Sequence, residues 1–202
     1  MKKSFFLLIA LTLATVSTKA QTDEPRHEIG VSYGVGISII GDGIGHGIAN
    51  GIFDALTGRE WANERDFGTL GLEYFYHLNN PRLAVGGIVT FARTGEDVVD
   101  RSTRVKEGER SRLYIGVMPA VKQYWVQKKH FGLYTKVAVG LMYFKDHRED
   151  YTLNDKSDNS RVYFTGQLSL LGLEGGSQNL RAFAEIGAGE QGIVLAGVKA
   201  KF

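Results

Sequence analysis

Apolar residues alternate with small or polar ones along most of this chain. The stretch EIGVSYGVGISI sets Ile29, Val31, Tyr33, Val35, Ile37 and Ile39 on one face, against Gly30, Ser32, Gly34, Gly36 and Ser38 on the other. A period of two is that of an extended strand. FGTLGLEYFYHL repeats it, with Leu70, Leu72, Tyr74, Tyr76 and Leu78 against Thr69, Gly71, Glu73, Phe75 and His77. LAVGGIVTFA, RLYIGVMPAVKQYW, FGLYTKVAVGLMYF, RVYFTGQLSLLG, LRAFAEIGA and the terminal GIVLAGVKAKF continue the pattern. Eight strands are predicted, an even number.

The connections between them are of two kinds. NNPR (79–82), VQKKH (126–130) and EGGSQN (174–179) are short and rich in turn-forming residues. Segments 40–66, 94–110 and 146–159 are long and polar, and they fall on alternate connections. Only GEQG (189–192) is short where a long loop is due. An up-and-down meander sends alternate connections to opposite ends, so one rim carries short turns and the other mostly long loops. Barrels of the bacterial outer membrane have that asymmetry.

The two faces then decide the solvent. A soluble barrel buries its larger apolar side chains inside. Here the apolar face is broad in all eight strands, while the opposite face holds Gly, Ser, Thr, Tyr and charges, a poor dry core. A bilayer admits sheets only as closed barrels, because each backbone polar group must be paired within the protein. The expected fold is all-β, an eight-stranded antiparallel up-and-down transmembrane β-barrel with its apolar face toward lipid. In the first long loop, the glycines of GDGIGHGIANGIFDAL (41–56) suit a flexible segment leading into a short helix near Ile48–Leu56. Its Ile52, Phe53 and Leu56 could pack across the barrel mouth.

The N-terminus fits export. Lys2 and Lys3, an apolar run from Phe5 to Val16, and small residues at Thr18 and Ala20 predict a secretory signal peptide over 1–20, cleaved before Gln21. The apolar run is short for a bilayer span. Residues 21–202 then form one barrel domain, with an expected location in the outer membrane. The chain has no cysteine, which removes lipid-anchor, disulfide and thiol chemistry. A net charge of +2 argues against a nucleic-acid partner.

The signal peptide, eight alternating strands, long loops at one rim and the terminal GVKAKF together resemble the small eight-stranded outer-membrane barrels of the OmpA/OmpX type. The resemblance covers nearly all of 28–202 and is one of architecture. It implies that Val198, Ala200 and Phe202 serve as the signal to the barrel-assembly machinery. Outer-membrane lipids and lipopolysaccharide are the expected partners and a monomer the expected state. Because the sequence stops at the last strand, the periplasmic peptidoglycan-binding domain of OmpA-type proteins is expected to be absent.

Chemical motifs are sparse. GVSYG (30–34) fits G-x-S-x-G, but Ser32 lies inside an uninterrupted strand rather than at a strand-to-helix elbow. The glycines of 41–56 satisfy neither phosphate-loop pattern. His27, His46, His77, His130 and His147 lack metal-site spacing, and NDKSDNS (154–160) lacks the Gly and Glu of an EF-hand. No cofactor is expected. A lipid hydrolase would need Ser, His and an acid together at a rim or on the lipid-facing wall. Ser111, Ser160, His147, Asp146, Glu149 and Asp150 border the outer rim without a spacing signature.

The inner face carries the remaining signal. Glu73 and Glu185 share it with Arg112, Lys122, Lys136, Arg181 and Lys199, and with Tyr114, Tyr134, Tyr163, Phe75 and Phe183. Eight strands enclose an interior that side chains largely fill. With GEQG as hairpin, Glu185 is expected opposite Gly197, with Lys199 as its diagonal neighbour. Loop 94–110 mixes five acids with four bases, a composition that can engage lipopolysaccharide phosphates and bridging cations. The functional expectation is a non-enzymatic structural or surface-interaction barrel with a filled lumen. A narrow pore for small solutes and an outer-membrane lipid-modifying hydrolase are the alternatives.

Overall fold

The computed structural model describes residues 25–35, 59–80, 82–100, 106–151 and 155–202. Eight strands follow one another around a closed antiparallel barrel: β1 (His27–Val35), β2 (Arg59–His77), β3 (Leu83–Asp100), β4 (Lys106–Gln127), β5 (Phe131–Asp150), β6 (Asp155–Gly176), β7 (Leu180–Gly189) and β8 (Val194–Lys201). Each strand pairs with its sequence neighbours, and β1 pairs with β8 to close the ring. The signal peptide and the helix expected near Ile48–Leu56 lie outside the described residues.

The alternation governs the two faces. Leu72, Tyr74, Val89, Val117, Val121, Val137, Val139, Leu141, Phe164 and Ile186 stand exposed on the outer wall. Glu73, Phe75, Lys122, Tyr124, Tyr134, Lys136 and Glu185 are buried in the lumen. Apolar side chains in water at this density would be a large unfavourable surface, so the wall is that of a barrel in lipid. On β5 the band runs from Phe131 to Tyr143, both exposed aromatics. At strand rise and barrel tilt, those twelve steps span roughly 30 Å, the thickness of the hydrocarbon core.

The strands are longer than their hydropathy indicates, and the loop boundaries change accordingly. Most of 94–110 and 146–159, expected as loops, is strand. Residues 59–66 of the expected loop 40–66 begin β2, 94–100 continue β3, 106–110 begin β4, 146–150 end β5 and 155–159 begin β6. The reason is geometric. Polar side chains do not break a ladder whose neighbours remain in register, and Glu109↔Glu149 and His147↔Asp158 stay paired far above the apolar band. Strands β2 to β6 therefore rise as a sheet above β7 and β8, which stop at Gly189 and begin at Val194.

Two local features reset the inner face. At Leu170–Leu171 the β6–β7 register slips, and both leucines point outward. A β-bulge of this kind inverts the phase that follows it. EGGSQN is also shorter as a turn than expected, because β6 runs on to Gly176 and carries Glu174 into the lumen. Between β7 and β8 the register is Phe183↔Gly197 and Glu185↔Leu195. Glu185 thus faces Leu195 rather than Gly197, and Lys199 faces Arg181, because the GEQG connection is folded inward and shifts the pairing by two residues.

Candidate functional site

The lumen holds the candidate site. At the short-turn end, Glu28 of β1 and Glu174 of β6 meet a cluster of bases. Lys122 Nζ donates to Glu28 Oε1 at 2.6 Å, and Lys199 Nζ reaches the same oxygen at 3.1 Å. Lys199 also pairs with Glu174, as does Arg181. Lys201 Nζ lies 2.9 Å from Glu174 Oε1 and 3.5 Å from Glu28 Oε2. The Tyr124 hydroxyl stands 3.2 Å from both carboxylates, and His77 Nε2 lies 3.3 Å from Glu28. Arg181 spends its second amine on the carbonyls of Lys128 and Lys129, at 3.0 and 2.8 Å, which ties the network to the β4–β5 turn.

A second cluster lies deeper along the barrel. Lys136 Nζ sits 2.7 Å from Glu73 Oε1 and 2.7 Å from Glu185 Oε2. Glu185 also receives the Tyr134 hydroxyl at 2.7 Å and the Ser169 hydroxyl. Gln191 Nε2 donates to Glu73 at 2.9 Å. Aromatic rings separate and bridge the clusters, with Lys122 Nζ 4.0 Å from the Phe75 centroid and Lys199 Nζ 4.9 Å from that of Tyr134. The close approach is built on glycine. A methyl group at Gly172, the register partner of Tyr134, would stand 2.3 Å from the tyrosine ring.

Arg112 is separate from both clusters. It forms a two-pronged pair with Glu96, at 2.9 and 3.1 Å, nearer the protruding sheet. Of the expected luminal residues, then, Glu73, Lys136 and Glu185 come together, Lys122, Arg181 and Lys199 belong to the Glu28–Glu174 cluster, and Arg112 stands apart. Glu185 and Lys199, expected as diagonal partners, are bonded to different groups. Sequence reading left out Glu28, Glu174, Lys201, Glu96, Glu190 and Gln191. Glu28 had a usable signal, since it is in phase with the luminal Gly30 and Ser32. Glu174 had none beyond the Leu-Leu doublet that marks the bulge.

These pairs have physical consequences. Isolated ions in a lumen pay several kcal/mol of desolvation each, which only multiple close partners offset. Most bonds cross between non-neighbouring strands, β1 to β4, β2 to β5, β5 to β7 and β6 to β8. They tie facing walls of the lumen together at two levels.

The rim residues fall differently. Ser111, His147 and Asp158 lie in one register row across β4, β5 and β6, on the outer wall just above the apolar band. His147 Nδ1 is hydrogen-bonded to Asp158, and this bond holds the exposed carboxyl below its ordinary value. Ser111 Oγ, however, accepts from Arg93 Nε at 3.4 Å, and its strand is paired on both sides. Backbone N–H groups committed to a ladder cannot form an oxyanion hole, and both His147 and Asp158 are about half exposed to water. Asp146 is bound to Arg110 inside the sheet, and Glu149 to Lys156 at 2.8 Å. Ser32 is buried in the lumen, where it receives Gln191 Nε2 at 3.3 Å.

At the seam, the backbones of His27 and Phe202 exchange two hydrogen bonds of 2.9 Å, and their rings stack at 5.5 Å. Val198 and Phe202 are exposed on the outer wall. Ala200, expected on that same lipid-facing side, is covered, because its methyl is shorter than its register partners Ile29 and Leu180.

No family model matches the sequence, and no curated protein matches it. Among solved structures the chain is similar to Ail, the attachment invasion locus protein of Yersinia pestis. A crystal structure of Ail with the heparin analogue sucrose octasulfate aligns at a TM-score of 0.46 and 14% identity, over 89% of this chain and 99% of that one. A second crystal structure of Ail gives 0.42 and 15%, over the same shares. Its backbone structure in a phospholipid bilayer nanodisc gives 0.36 and 17%, over 89% and 100%.

Proposed function

We propose that this protein is a non-conducting, non-enzymatic barrel of the bacterial outer membrane that presents a rigid β-sheet at the cell surface for interaction with external partners. The observation that supports the reading is the pairing of ionic clusters that span the lumen with five strands that continue far above the lipid band. A pore needs a continuous wet path, and the Glu28–Lys122 and Lys136–Glu185 bonds cross the only path an eight-stranded barrel offers. The protruding sheet, by contrast, needs no length to span a membrane. Its upper β6 segment, Lys156–Arg161, is paired with β5 but has no strand on its other side among the described residues. Such an edge is a template for a further strand.

Lipid would surround the exposed wall, and lipopolysaccharide would meet the charged outer sheet. Val198 and Phe202, beside the seam, suit a signal to the assembly machinery. Purified protein in planar bilayers tests the reading. The expected record is a flat baseline, with no steady conductance. Large, persistent single-channel currents would replace the closed barrel with the pore, and release of fatty acid from lipid A or phospholipid would replace it with the hydrolase.

A further inference from the structure

The turn between β7 and β8 enters the lumen instead of projecting from the rim. Gly189 and Gly192 take φ values of 136° and 105°, which side-chain-bearing residues rarely adopt. Glu190 N donates to Gly166 O at 3.0 Å, Gln191 N to Gln167 Oε1 at 2.8 Å, and Gln167 Nε2 to Gly192 O at 3.2 Å. Both turn side chains are buried. They fill a level of the barrel where Ser32, Gly71, Thr90 and Gly116, register partners across β1 to β4, leave room.

That level is incompletely satisfied. A methyl group at Gly116 would stand 2.4 Å from Thr90 Oγ1 and 3.7 Å from Glu190 Cγ, so the hydroxyl and the glutamate flank one small space. Thr90 Oγ1 is buried and has no partner, and neither has the Gln191 amide oxygen. Glu190 accepts one side-chain hydrogen bond, from Thr165 Oγ1 at 3.2 Å, and no basic side chain among the described residues pairs with it. Glu28, Glu73, Glu96, Glu174 and Glu185 each have a basic partner. A buried carboxylate with neither a counter-charge nor a full set of donors is costly. Carboxylate, hydroxyl and amide oxygens, with no nitrogen or sulfur, are the ligand set of a hard cation.

We propose that Glu190, with Thr90, Thr165 and the Gln191 amide oxygen, holds a small hard cation of the sodium or calcium kind in the upper lumen. The cation supplies the charge the glutamate lacks and pins the β7–β8 turn inside the barrel. The strength of that closure then depends on the ionic medium.

The test uses the mature protein folded in detergent micelles and melted in tetramethylammonium, sodium or calcium chloride at equal ionic strength. Sodium or calcium should raise Tm by about 5 °C at a hundredfold excess over Kd, relative to tetramethylammonium. Glu190→Gln, which removes the unmatched charge, should abolish that rise while keeping the heat-dependent gel mobility of a closed barrel. Thr90→Val, which keeps the side chain's shape, should weaken the rise, and it carries the test if the glutamine variant does not fold. Equal Tm in all three salts would mean that the space holds water only, and would overturn the proposal. A cation response undiminished in Glu190→Gln would move the binding to the outer acidic hairpins, and would overturn it too.

Discussion

Glu28 and Lys122 are 94 residues apart in sequence and 2.6 Å apart across the lumen. One sits on β1 and the other on β4, so the bond joins opposite walls of the barrel rather than neighbouring strands. Lys122 is otherwise surrounded by rings, Phe75 at 4.0 Å and Tyr134 at 4.7 Å. A luminal ion held this way has no water to fall back on. Removing its partner therefore costs far more than the pair contributes.

Lys136 is the sharpest test of that asymmetry, since one ammonium serves both Glu73 and Glu185. Lys136→Met should lower stability by about 3–5 kcal/mol, read as a drop in the urea midpoint of the micelle-folded protein. Adding Glu185→Gln to that variant should recover part of the loss, because one stranded charge disappears. Strict additivity of the two changes would argue against a coupled cluster.

Gly172 tests the packing of Tyr134. A methyl group there would meet the ring at 2.3 Å, and the tyrosine hydroxyl is tied to Glu185, so the ring cannot swing away without breaking that bond. Gly172→Ala is expected to cost about 1–3 kcal/mol in the same urea assay. A neutral result would show that the ring has another place to go.

Phe202 closes the seam with His27 through two backbone bonds and a ring stack. Deleting it should reduce the fraction of protein assembled in the membrane while leaving the exported amount unchanged. Phe202→Ala keeps the backbone bonds and should show a smaller defect. Fractionation of cells, with heat-dependent gel mobility as the measure of folded barrel, reads both quantities. Normal assembly of the deletion would remove the role given to the terminus.

Topology can be read with single cysteines, because the native chain has none. Ser157→Cys, on the exposed upper part of β6, should react with a membrane-impermeant maleimide on intact cells. Lys129→Cys, in the β4–β5 turn at the other rim, should react only after lysis. The reverse pattern would turn the barrel upside down.

The period-two pattern by itself determined the eight strands, their inner and outer faces, and the apolar belt, because side-chain direction in a strand depends only on local backbone geometry. Parity alone puts Glu73, Lys122, Lys136, Arg181, Glu185 and Lys199 on the inner face. Three things only the tertiary structure decided. The reach of β2 to β6 beyond the belt depends on cross-strand pairing, which hydropathy does not record. The place of Glu174 depends on the bulge at Leu170–Leu171, which inverts the phase counted from Ser169. The partners of each charge depend on how the closed ring staggers its strands: Glu28 meets Lys122 from three strands away, and Glu185 meets Lys136 rather than Lys199. An inward-folded turn, Glu190 and Gln191 in the lumen, is likewise a product of closure, since it needs the small side chains of four other strands to leave it room.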